Sequence, residues 1–129
     1  MGYMAHHALI IHISEYAWDD ANGKKKFGIT PKRFEKFRAK LPEQFQPLLV
    51  GPIRTAANGD YVVAFLPDGS KEGWETSDEG DCIRAELAAM FNFRYEDGST
   101  PFNVVEVRFG GDDPELGYAI DPRKVRSWR

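Results

Sequence analysis

One cysteine, Cys82, is the only thiol in the chain's 129 residues. That excludes an internal disulfide framework and makes a reducing, cytoplasmic setting the expectation. No apolar run approaches the roughly 20 residues a membrane-spanning helix needs. The strongest, Ala8–Ile13, is too short and too interrupted for a signal-peptide core, and no basic segment precedes it. Gly2 does not head a myristoylation motif, because His6 stands where that motif wants Ser or Thr. P-loop, dinucleotide-fingerprint, GxSxG and HExxH patterns are all missing. Histidine is scarce: His6, His7 and His12. On a strand His6 and His12 share a face but lie about 20 Å apart, too far to share one ion, and His6 and His7 point to opposite faces. With no CxxC spacing either, neither metal nor cofactor is expected.

What is present is ordinary globular material. The chain is 42% hydrophobic and 13% aromatic, with a formal net charge of −3. This length suits one domain with a real core. The expectation is therefore a single domain over residues 1–129, with 1–5 and 122–129 as flexible ends.

The stretch from Leu48 to Phe93 carries the clearest local signals. Asn58-Gly59 and Asp68-Gly69 are the dipeptides of type I′ turns, in which both central residues take positive φ. Tyr61–Leu66 between them is rich in β-branched and aromatic side chains. These signals predict a three-stranded meander opening at Leu48. Thr76 and Glu79 match a capping box and predict a helix over about Ser77 to Phe91, with Ile83, Leu87, Met90 and Phe91 facing inward. Upstream, Thr30-Pro31 predicts a helix start, with Phe34, Phe37 and Leu41 on one face, Lys32, Arg33, Lys36 and Lys40 elsewhere, and Pro42 as the stop.

His6–Ile13 reads as the first strand. It is apolar on both faces over its middle, which predicts a central strand covered on both sides. Ser14–Gly23 reads as a short helical turn or a loop. Phe102–Phe109 is a later strand, with Val105, Val107 and Phe109 on one face and Phe102, Val104, Glu106 and Arg108 on the other. Leu116–Ile120 is expected to pair back as a short edge strand. The predicted order is β-α-β-β-β-α-β-β. It describes an α+β fold whose antiparallel or mixed sheet of about five strands carries two helices on one face. A ferredoxin-like core fits this order if one meander strand and the last strand are additions.

Candidate chemistry is sparse. Cys82 sits near the N-terminus of the second predicted helix, but Asp78, Glu79 and Asp81 crowd it and oppose a thiolate, so it is expected to pack as a small apolar side chain. Asp78-Glu79 is explained by the helix start and Asp112-Asp113 by a turn. Asp19-Asp20, beside Trp18, is the least explained carboxylate pair.

Charge is segregated. From Lys24 to Lys40 eight basic residues stand against Glu35 alone, whereas Asp60 to Asp97 holds ten acids against three bases. Opposite-sign surfaces on one small domain suit steering toward a protein partner or a second copy of the chain. The leading expectation is thus a small non-catalytic protein-binding protein of inhibitor, immunity or accessory type. Its candidate partner-binding residues are Tyr16, Trp18, Lys24, Lys25, Lys26, Lys32, Arg33, Lys36 and Trp74, since large aromatics often anchor interfaces. Single-stranded nucleic acid on the basic 24–40 segment is the alternative, by stacking and phosphate contact. A small enzyme with a cleft near His12, Asp19 and Asp20 is the third.

Overall fold

The computed structural model describes residues 6–17, 29–71 and 73–109, with Tyr16 and Phe109 described by their backbone alone. Within these residues the strands are β1 (His6–Ile13), β2 (Leu49–Arg54), β3 (Tyr61–Phe65) and β4 (Phe102–Phe109), and the helices are α1 (Pro31–Lys40) and α2 (Glu75–Ala89). Short 3-10 turns occupy Glu15–Ala17 and Glu43–Leu48. The strands form one open sheet in the order β2-β3-β1-β4, with every neighbouring pair antiparallel. The class is α+β, and β1 is a central strand.

Local chemistry accounts for each element. Thr30 caps α1, its Oγ1 accepting from the Arg33 amide at 3.2 Å, and Pro31 fills the first helical position where no amide partner is needed. Phe34 and Leu41 are buried and Phe37 is half-buried, while Lys32, Arg33, Lys36 and Lys40 are exposed. Arg38 ties the helix to the sheet by donating from Nη2 to the Leu49 and Gly51 carbonyls, both at 2.9 Å. Asn58 and Gly59 take φ of 67° and 69°, closing the β2–β3 hairpin as their sequence predicts. At Gly51, φ is 99° and β2 breaks register between Val50 and Ile53. A side chain there would run into the Val62 carbonyl, so glycine is required.

Four expectations need correction. The described residues hold four strands, not five. No third meander strand follows β3, because Asp68-Gly69 does not close a hairpin. Asp68 Oδ1 instead accepts from the amide and hydroxyl of Ser70, a local turn that directs the chain toward α2. The predicted strand at Leu116–Ile120 lies outside the described residues. Second, β2 opens at Leu49, because Glu43–Leu48 is a 3-10 turn with Phe45 buried. Third, α2 begins two residues earlier than the capping box implies. Trp74 is its cap residue and makes no side-chain cap bond, which places Thr76 inside the helix. Fourth, β1 is not fully covered on both faces: on the side away from the helices Ala8 is buried but Ile10 is exposed.

That asymmetry governs the rest. Leu9, Ile11 and Ile13 of β1 pack with Val63, Phe65, Leu49 and Phe102 beneath Phe34 of α1 and Ile83 and Leu87 of α2. Phe91 joins the two layers, stacked on Phe34 at 6.1 Å and edge-on to Phe102 at 5.2 Å. Both helices therefore lie on one face. On the other face of β1, Ile10 keeps 46% of its surface.

Candidate functional site

Two features could support function: a polar cavity beside α2 and the face of the sheet that the described residues leave uncovered. The cavity is about 430 Å³ and lies between α2 and the β1–β4 pair. Strand alternation puts His7 of β1 and Glu106 and Arg108 of β4 on the helix-bearing face, because His7 is opposite Arg108 and Leu9 opposite Glu106. His7 is buried. Its Nδ1 is 3.2 Å from Glu106 Oε1, and Arg108 Nε donates to the same oxygen at 3.2 Å. The hydrogen bond from His7 holds the Glu106 carboxyl below the ordinary range, against a smaller opposing effect of burial and with further help from Arg108.

Across the cavity, α2 presents Asp78, Asp81 and Arg84. Arg84 is buried: Nη2 donates to Asp81 Oδ1 at 2.5 Å, and Nη1 stands 3.7 Å from Asp68 Oδ2 without a hydrogen-bond partner among the described residues. Gly80 lets this happen, since a Cβ there would collide with the Asp68 carboxylate. The charged groups of the cavity thus largely satisfy one another. Among the described residues no three His, Cys, Asp or Glu side chains gather as a metal site would require.

The uncovered face is different in kind. Ile10 of β1 is opposite Ala64 of β3 and Val105 of β4, while Val62 pairs with Ile53 of β2. Residues directly opposite share a face, so these aliphatics form one surface. Ile10, Ile53 and Val105 are exposed by 46%, 51% and 53%. Ala8 and Ala64 lie lower between them, and Val107 and Asn103 continue the surface along β4. At one end His12 Nε2 sits 3.0 Å from Asp60 Oδ2, a carboxylate that also accepts from the Glu15 amide. Between its ends this face carries no Asp, Glu, Lys or Arg among the described residues; its one charged side chain, Asp60, is engaged by His12.

The residues singled out in the sequence fall elsewhere. Lys32, Arg33 and Lys36 share the outer surface of α1. Trp74 is half exposed ahead of α2, with the Lys71 ammonium 5.9 Å over its ring. Trp18, Lys24, Lys25 and Lys26, the side chain of Tyr16, and the Asp19-Asp20 pair lie outside the described residues. His12 is partnered by Asp60. Cys82 is exposed on α2, not packed inside. The helix turns it outward because Ile83 and Leu87 hold the core-facing stripe. Sequence reasoning missed both features described above, although the Ile10 and Val105 alternation was visible in it.

No helix among the described residues is long and apolar enough to cross a membrane. Comparison with protein-family models, with curated proteins and with solved structures finds no match to this chain.

Proposed function

We propose that the chain is a small non-catalytic protein-binding protein and that the uncovered sheet face is its binding surface. One observation carries this reading: Ile10, Ile53 and Val105 stand about half exposed on a single face whose middle carries no charge. Isolated exposed aliphatics are common, but a contiguous apolar patch of this kind marks an interaction site. The cavity beside α2 supports function less well, because its cations are already paired with its acids. We also read the strand order, with one helix between β1 and β2 and another between β3 and β4, as the ferredoxin-like arrangement. An exposed thiol at Cys82 suits a reducing cytoplasmic compartment.

Photo-crosslinking in the native host tests the surface. A photoreactive residue at position 53 or 105 is expected to trap protein adducts. Adducts from positions 36 or 74 but not from 53 or 105 would move the interface to the basic helix and Trp74. A second reading, single-stranded nucleic acid on α1, is favoured by the outward Lys32, Arg33 and Lys36. It requires binding that weakens steeply as salt rises, because phosphate contacts release counterions. Affinity for an oligonucleotide that stays flat with salt would dismiss it.

A further inference from the structure

We infer that the occupant of the uncovered sheet face is a second copy of this chain, packed face to face across a two-fold axis. This inference rests on the reading above and names its partner.

Three observations lead there. First, β1 is apolar on both sides over Ala8–Ile11, the pattern of a strand buried on both faces, yet while Ala8, Leu9 and Ile11 are buried, Ile10 keeps 46% of its surface. The sequence of β1 is written for a second cover. Second, among the described residues the only charged side chain on this face is Asp60, at its end and already held by His12, in a chain that is 29% charged. A partner recognised by charge would find no unengaged charge to pair with, and its own charges would lose water without compensation. An identical face, uncharged in its middle, meets no such penalty. Its relief is also self-complementary in kind. Ile10, Ile53 and Val105 stand out, while Ala8 and Ala64 leave recesses beside Ile10. A two-fold interface uses the same patch on both copies, so projections and recesses within one patch are what it requires.

The third observation is size. Four strands about 4.8 Å apart and some six residues long at about 3.3 Å each give a projected face of roughly 400 Å². Side-chain relief raises the accessible area above that figure, toward the roughly 800 Å² per partner of a standard interface. Two such sheets would stack about 10 Å apart, the spacing of a β-sandwich core.

Sedimentation of the full chain at micromolar concentration, combined with photo-crosslinking from positions 10 and 105, tests this. The wild type is expected at twice the chain mass of 14.6 kDa, and Ile10→Lys at half the wild-type mass. Circular dichroism checks that Ile10→Lys keeps its fold; should it unfold, Val105→Lys, at the more exposed position, takes its place. Cross-links from positions 10 and 105 are expected to map between chains onto the same face. A monomeric wild type overturns the inference, as does a dimer that survives both lysine substitutions. So does an intrachain cross-link from position 10 to residues 18–28 or 110–129. A monomer whose position 105 cross-links to a different protein sinks self-pairing but preserves the protein-binding reading. A monomer without face cross-links sinks both.

Discussion

Asp68 and Arg84 form the most consequential pair of side chains in the described structure. They are 8% and 7% exposed, their charges approach to 3.7 Å, and only Asp81 supplies Arg84 with a close hydrogen bond. Two opposite charges taken this far from water stabilise each other only while both are present. Arg84→Met is expected to cost about 3 kcal/mol by leaving the buried Asp68 carboxylate without its cation, held by Ser70 alone. Adding Asp68→Asn to that variant should recover part of the loss, and urea unfolding of the single and double variants measures the coupling. Gly80→Ala would ordinarily favour a helix interior by about 1 kcal/mol. Here the new methyl group collides with Asp68, so the expected result is a lower urea midpoint. A raised midpoint would mean that the carboxylate moves aside freely. At Glu106 the sign follows from its depressed pKa. The carboxylate is favoured in the folded chain, so its contribution is present above the ordinary value of 4.5 and is lost as pH falls through the lower folded value. Glu106→Gln should therefore differ from wild type at neutral pH, with the difference in urea midpoint closing as pH falls below the ordinary carboxyl value and through the lower folded one.

Elements were legible where their signals are local. The Thr30 cap, the Pro31 start and the Phe34–Phe37–Leu41 stripe all act within a few residues, and α1 forms where they place it. Thr30→Ala should accordingly cost about 1 kcal/mol, read by thermal unfolding, through loss of one capped amide. The start of α2 was not legible in the same way. Thr76 and Glu79 have capping-box spacing, but Asp68 is held 16 residues before Arg84 by a buried ion pair, and the turn around Ser70 brings the chain into helix at Glu75. Spacing cannot express such a tertiary tie. The same tie explains why Asp68-Gly69 yields no hairpin. Arg38 teaches the converse lesson. It reads as one more charge of a basic segment, yet its guanidinium bridges α1 to two carbonyls of β2. The cavity was invisible for a related reason: His7 and Glu106 are 99 positions apart, and only the β1–β4 register brings them together.

The molecule as a whole buries one face of its sheet under α1 and α2 and leaves the other uncovered among the described residues, and that imbalance has a thermodynamic consequence. If two copies cover each other, folding and association are linked, because the dimer interface exists only between folded chains. Mass action then raises the unfolding temperature as total chain concentration rises, since unfolding releases two separate chains. A monomer unfolding reversibly shows no such dependence. Thermal unfolding followed by circular dichroism over a hundredfold range of concentration is expected to show a steady increase for the wild type. Val105→Asp should flatten it, because a carboxylate on this face would be stripped of water on association with no cation to meet it. Val105 is 53% exposed, so its replacement should leave the unfolding temperature near that of the most dilute wild-type sample. Lys36→Asp, on the outer surface of α1, should preserve the slope. A concentration-independent wild type would leave Ile10, Ile53 and Val105 to a partner other than the chain itself.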